Sequence, residues 1–276
     1  MVKDTKTVAI IGIGNLGKQI AEWSAAHGYD VNIFDINSEG LIKFFDDISK
    51  KLKIGGANGE IRQFNSISEA VKDADLVIEA VPEKLELKKQ VFKDIDKHAP
   101  SHAIIATNSS SIPVSRIENS VKRKDKLLNL HFYKLPDFPM ADIARGTKTS
   151  EDTFNIVKKW LESIDIVPLV LKKECLGFVF NRVWRAIKKE CLKIWDGGYA
   201  DIEDVDKAWK IFTNMKIGPF QLMDIVGLDV VLDIEMMYYK ESGDPNDEPP
   251  QILKDKVNKE ELGVKTGKGF YNYDTH

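Results

Sequence analysis

The chain has 276 residues, of which 43% are apolar and 30% charged, and a formal net charge of −3. That length accommodates two domains with a sizeable core, and the charge excludes a broad positive field for a nucleic-acid partner. No apolar run approaches a membrane span, and MVKDTKT leads straight into an apolar stretch, so neither an anchor nor a secretory leader is expected.

Val8-Ala9-Ile10-Ile11 has the composition of a buried parallel strand. Gly12, Gly14 and Gly17 follow in G-x-G-x-x-G spacing, and Leu16, Ile20, Trp23 and Ser24 then share one face of a helix. Val31 to Phe34 is a second strand, closed by Asp35. Gly12 permits the tight turn, Gly14 lets a backbone approach a pyrophosphate, and Gly17 allows close helix–strand packing. Asn15 and Leu16 open the helix, whose unpaired N–H groups attract an anion. Asp35 lies 18 residues beyond Gly17, where its carboxylate accepts the ribose hydroxyls of an adenosine. An acid there favours NAD, because the 2′-phosphate of NADP would meet a negative charge.

Glu39 to Lys51 has helical spacing (Leu41, Ile42, Phe45, Ile48), and Gly55-Gly56-Ala57-Asn58-Gly59 breaks it. A short strand from Ile61, a helix capped at Ser66 or Ser68, a strand at Leu76 to Val81 and a helix at Leu85 to Ile95 follow. Ala103 to Ala106 and Leu127 to Phe132 read as strands, separated by the polar run Thr107 to Ser111 and by Lys122-Arg123-Lys124, a solvated loop. Phe154 to Ile164 is an amphipathic helix and Val167 to Leu171 a last strand. This alternation predicts a Rossmann-type, doubly wound parallel sheet with ligands at the strand C-termini. From about Gly177 the patterns are helical, including one helix from Pro219 to about Tyr239, and a Gly-rich tail closes the chain. The reading is therefore an α/β domain over 1–177 and an all-helical domain over 178–276.

Side chains just past strand ends carry the chemistry of such sheets. Removing a proton from an alcohol while its hydride departs needs a base near neutral pH, and His131 supplies one. Asp142, eleven residues on, is the nearest acid to steady the imidazolium, although it could pair with Arg145 instead. Ser110 and Asn181 offer a hydroxyl and an amide to a substrate. His27, His98, His102 and His276 read as surface residues. Cys175 and Cys191 lack metal-ligand spacing, so no metal is expected, and they suit a reducing, cytoplasmic compartment.

The series GIGNLG, DADLVIEAVPEKLELKKQVF, TNSSS, LHFY, LGFVFNR, IGPFQLMDIVGLD and GVKTGKGFY resembles the L-3-hydroxyacyl-CoA dehydrogenase family over nearly the whole length. The resemblance implies reversible, NAD-dependent oxidation of an L-3-hydroxyacyl thioester, as in fatty acid metabolism, by a homodimer built through its helical domain. It assigns His131 as base, Ser110 and Asn181 as substrate contacts, and Glu83, Lys88 and Lys265 as NAD contacts. Three features depart from the family. Its catalytic glutamate becomes Asp142, while an alignment anchored on Met140 would put Ala144 there. Lys134-Leu135 replaces the Asn-Pro that follows the histidine strand, so Lys134 becomes a candidate for a substrate anion. The helical hairpin that clasps CoA is shortened. These departures keep two alternatives open, a dehydrogenase of free 3-hydroxy acids such as carnitine or gulonate, and a non-catalytic NAD-binding protein.

Overall fold

The computed structural model describes residues 5–55 and 59–273, so His276 and residues 56–58 of the glycine-rich break lie outside the described residues. The chain divides into two compact units, Met1–Val179 and Phe180–His276.

The first unit runs β1 (Thr7–Ile11), α1 (Asn15–Ala26), β2 (Asp30–Phe34), α2 (Ser38–Gly55), β3 (Ile61–Gln63), α3 (Ile67–Ala70), β4 (Leu76–Glu79), α4 (Leu85–His98) and β5 (Ile104–Thr107). After three short 3-10 turns come β6 (Leu127–Phe132), β7 (Met140–Arg145), α5 (Glu151–Ser163) and β8 (Val167–Leu171). The strands form one sheet in the order β3-β2-β1-β4-β5-β6-β7-β8. Strand order reverses between β1 and β4, which opens a crevice at their C-terminal ends. Both faces of the sheet are covered, and this is why the strands read as unbroken apolar runs. Val8 and Ile10 pack on one face with Ile20, Ala21 and Trp160, while Ala9 and Ile11 pack on the other with Val91, Phe92 and Ile95. Each such aliphatic side chain contributes about 1.5–3 kcal/mol on full burial.

Two features of this unit differ from the sequence reading. β7 is a strand that periodicity does not announce, and it pairs antiparallel with β6 in the otherwise parallel-dominated sheet. The charge in its middle, Asp142, is fully buried instead of facing water. Arg123 belongs to no solvated loop. Its guanidinium bonds the Asp96 carboxylate at 2.7 Å and the carbonyls of Asp96 and Ala99, satisfying the C-terminal end of α4.

The second unit comprises α6 (Phe180–Asp196), α7 (Ile202–Thr213), α8 (Pro219–Val226), α9 (Leu228–Ser242) and α10 (Gln251–Asn258). The single helix expected from Pro219 is two, because Gly227 adopts φ +101°, a conformation closed to ordinary side chains inside a helix. Phe220 and Phe270 meet edge to face at 4.7 Å in the core, with Trp195 against both. No helix among the described residues is long and apolar enough to cross a membrane.

Two buried carboxylates seat the tail. Asp206 accepts from the N–H groups of Phe220 and Gln221 at the start of α8 and from the Tyr271 hydroxyl at 3.0 Å. Asp224 accepts from Phe270 N–H at 2.8 Å, Tyr271 N–H at 2.9 Å and the Tyr273 hydroxyl at 2.9 Å. Burial and the adjacent carboxylates push both phenols above their ordinary range. Asp224→Ala orphans two tail amides at about 1–3 kcal/mol each. Urea unfolding followed by tryptophan fluorescence is therefore expected to show a loss of about 3 kcal/mol; an unchanged midpoint would show that the tail is dispensable to this unit.

Candidate active site

At the C-terminal end of β1 the chain turns so tightly that a Cβ on Gly12 would lie 2.7 Å from the Ala80 carbonyl, and its φ is +102°. A Cβ on Gly17 would lie 2.0 Å from the Gly12 carbonyl oxygen, so α1 packs directly on the turn. Gly14, by contrast, faces open space. It is the N-cap of α1 and supplies no side-chain acceptor, and the first turn holds no acid, so the N–H groups of Asn15, Leu16 and Gly17 have no local anion. The Asn15 side chain accepts from Gln19 at 3.3 Å, and Leu16 packs against the core.

Asp35 is held at the end of β2 by two amides, Ile13 N–H at 2.6 Å and Asn37 N–H at 2.8 Å. A cavity of about 510 Å³ lies beside it, lined by Gly12, Gly14, Phe34, Ile36, Val81 and Leu87 among others. An open glycine, an uncapped helix terminus, a fixed acid and an apolar cavity fit a pyrophosphate joined to an adenosine.

Past β4 lies a network of buried charge. Glu79 and Lys88 are 0% and 1% exposed, and Lys88 Nζ bonds Glu79 at 2.8 Å and the Val81 carbonyl at 3.2 Å. Thr107 Oγ1 and Val81 N–H complete Glu79 at 2.8 and 2.7 Å. Burial pushes the Glu79 carboxyl upward against the pull of Lys88. The Lys88 ammonium also lies 3.2 Å from Glu83. Glu83 in turn accepts from the hydroxyls of Ser109 and Ser111 and from Ser111 N–H. Burial opposes ionisation of Glu83, but Lys88 and the two serines outweigh it and hold the carboxyl below its usual range. Ser110, between the tethered serines, is exposed.

His131 is 7% exposed on β6, directly opposite Asp142 on β7. Its Nδ1 lies 3.1 Å from Asp142 Oδ2. Ala144 instead faces Asn129, and Arg145 pairs with Glu151 at 2.7 Å. With a carboxylate as acceptor, the proton of this bond belongs to Nδ1, which leaves Nε2 as the nitrogen that can take a proton. Phe178 stacks on the imidazole with ring centroids 5.2 Å apart. Asn108 Oδ1 accepts from Phe132 N–H at 2.8 Å, which ties the serine loop to β6 beside the histidine. Lys134 is 66% exposed and paired with Asp137 at 2.7 Å. Sequence reasoning missed Glu79, Thr107 and Tyr133, whose hydroxyl donates to Asp142 at 2.6 Å. All three lie inside the strings DADLVIEAVPEKLELKKQVF, TNSSS and LHFY, but the roles were assigned to other residues of those strings.

In the second unit, Asn181 is half-buried in the first turn of α6. Lys265 lies in a 3-10 turn, its ammonium 2.5 and 2.6 Å from the two Asp229 oxygens, and this bond lowers the Asp229 pKa. Among the described residues no cluster of three or more His, Cys, Asp or Glu is placed to hold a metal.

Residues 7–175 match the model of the 3-hydroxyacyl-CoA dehydrogenase NAD binding domain, and residues 177–273 match that of the 3-hydroxyacyl-CoA dehydrogenase C-terminal domain. The chain is 34% identical to a 3-hydroxybutyryl-CoA dehydrogenase of Clostridioides difficile, covering 97% of this chain and 99% of the relative. It is 29% identical to a 5-formyl-3-hydroxy-2-methylpyridine 4-carboxylate 5-dehydrogenase of Mesorhizobium japonicum, over 97% and 91%. Its fold superposes on the crystal structure of an (S)-3-hydroxybutyryl-CoA dehydrogenase from Ralstonia eutropha with a TM-score of 0.86 at 30% identity, over 99% and 100% of the two chains.

The Glu79–Lys88 pair yields a test. Lys88→Met leaves a carboxylate buried without its cation, at a cost of about 3–5 kcal/mol. Chemical denaturation of the variant should show that loss, and full stability would mean that Glu79 takes a proton and needs no partner.

Proposed function

The chain belongs to the 3-hydroxyacyl-CoA dehydrogenase family and is an NAD-dependent oxidoreductase, and we propose that it oxidises a short-chain L-3-hydroxyacyl-CoA, of the 3-hydroxybutyryl kind, with His131 as the base. The observation that carries this reading is the buried His131–Asp142 pair at the end of β6.

Bound NAD supplies the hydride acceptor. Gly14 and the N–H groups of Asn15, Leu16 and Gly17 would hold its pyrophosphate, Asp35 would accept from the adenosine ribose, and Glu83, Lys88 and Lys265 would belong to its surroundings. Of these, Lys88 acts through Glu83, since its ammonium is closed off from water. His131 Nε2 takes the substrate hydroxyl proton as the hydride departs from C3. Asp142 then offsets the positive charge that develops on the imidazole, and the aromatic face of Phe178 keeps water from it. Ser110 and Asn181 orient the substrate oxygens.

A second reading, oxidation of a free 3-hydroxy acid, has one observation in its favour, the similarity to a dehydrogenase named for a pyridine carboxylate. Lys134 would meet that carboxylate, but only by leaving Asp137. We further propose a homodimer formed through the helical unit, where Ile211 and Phe212 at the end of α7 and Met215 just past it are 75%, 93% and 57% exposed. The free thiols of Cys175 and Cys191 support a cytoplasmic location.

NADH oxidation measured with acetoacetyl-CoA beside free acetoacetate separates the two substrate readings. Turnover of the thioester alone is expected, with inhibition by free CoA; turnover of acetoacetate alone would replace the first reading by the second. In the active assay His131→Gln should lower kcat by about 10²–10⁴ with NADH affinity retained, and an unchanged kcat would remove His131 as base. Light scattering should give twice the chain mass, falling to the monomer with Phe212→Glu, whereas a monomeric parent would exclude the dimer.

A further inference from the structure

Asp142 is 0% exposed, and three donors reach its carboxylate. His131 Nδ1 lies 3.1 Å from Oδ2, Val179 N–H donates to Oδ1 at 3.3 Å, and the Tyr133 hydroxyl donates to Oδ2 at 2.6 Å. The tyrosine bond is the shortest of the three, and it falls on the oxygen that also serves the histidine. Its place follows from the strand. Tyr133, the residue just past β6, is two beyond His131 and its N–H still meets the Met140 carbonyl of β7 at 3.3 Å, so both side chains leave the sheet on the same face. The two rings meet at 4.8 Å with an interplanar angle of 64°. Asp142, opposite His131 in the antiparallel register, reaches both.

An aspartate's last torsion is soft, so backbone register alone leaves open which oxygen faces the imidazole. The Val179 contact is long, and the imidazole is itself the group that must be oriented. The Tyr133 hydroxyl is the remaining anchor. We infer that Tyr133 is a positioning residue for this reaction: its hydroxyl fixes the Asp142 carboxylate so that Oδ2 stays on His131 Nδ1 and Nε2 stays available as the proton acceptor. The inference rests on the proposed role of His131 as base. It has a geometric corollary. One added methylene on Asp142 would drive its carboxylate into the tyrosine hydroxyl, already at 2.6 Å, so the two positions are coupled.

The test compares the unsubstituted protein with Tyr133→Phe, Asp142→Glu and the double variant, assayed with NADH and acetoacetyl-CoA. Each single substitution is expected to lower kcat about tenfold with both KM values within about twofold, because orientation is lost and binding is not. The double variant is expected to lose about tenfold as well and not a hundredfold, since both substitutions disturb the same carboxylate–hydroxyl contact. A Tyr133→Phe enzyme with full kcat, or losses that simply multiply in the double variant, would overturn the inference. A second readout needs no turnover. In protein carrying ¹⁵N-histidine, the His131 Nδ1 proton is expected as a slowly exchanging downfield resonance, absent in His131→Gln and lost to exchange in Tyr133→Phe. Its persistence in Tyr133→Phe would likewise overturn the inference. His131→Gln keeps the two ideas apart: if it retains full activity the base assignment fails, whereas an inactive His131→Gln beside a fully active Tyr133→Phe removes only the positioning role.

Discussion

A carboxylate with no exposed surface must find its donors inside the protein, and Asp142 is such a group. Much of the first unit's chemistry is arranged by that requirement. β7 runs antiparallel to β6 with Asp142 opposite His131, and the segment after β8 returns so that Val179 N–H meets the second oxygen. Phe178, just before Val179, then stacks on the imidazole. Satisfying one buried charge thus fixes a strand direction, a loop path and the orientation of the histidine together. Glu79 at the end of β4 is met in the same manner, by a lysine, a threonine and an amide.

These groups meet because strands of a parallel sheet deliver their C-terminal ends to one edge. Gly12 follows β1, Asp35 follows β2, Ala80 follows β4 and Asn108 follows β5, while His131 is the penultimate residue of β6. Nothing local draws Asp35 toward Gly12. Their proximity comes from the pairing of β1 with β2, which also lets Ile13 N–H donate to the Asp35 carboxylate. The sheet sets the positions, and the hydrogen bonds trim them to the distances that chemistry needs.

What the sequence revealed depended on how locally each feature was encoded. The glycine spacing, the apolar runs of β1 and β2, and Asp35 at a strand end all lie within one supersecondary unit, so their geometry follows from their order. The break at Gly227 was hidden because the apolar pattern continues through it, and only the backbone angle shows the turn. β7 was hidden because a buried aspartate breaks the apolar pattern that marks a strand, and its stabilising partners are on other elements. Arg123 read as one of three solvated cations, since the carbonyls it caps are 24 and 27 residues away. The resemblance named Lys88 as an expected NAD contact, but its burial between Glu79 and Glu83 was not legible, because an amphipathic helix gives no sign that one of its cations turns inward.

That inward turn links the two halves of the site. Lys88 is anchored by Glu79, a strand-end residue with no freedom to move, and it passes that fixity to Glu83, which is more exposed. Glu83 spends its acceptor capacity on Ser109 and Ser111, leaving the intervening Ser110 outward. On the other side, Asn108 is bound through its N–H to the Glu79 carbonyl and through its side chain to Phe132 N–H, adjacent to His131. The loop that presents Ser110 is therefore tied at both ends to the frame that holds the histidine. A hydroxyl and a base that must address the same substrate atom need a fixed separation, and mobile loops do not provide one. Here the separation of Ser110 and His131 is set by a buried ion pair with almost no exposed surface.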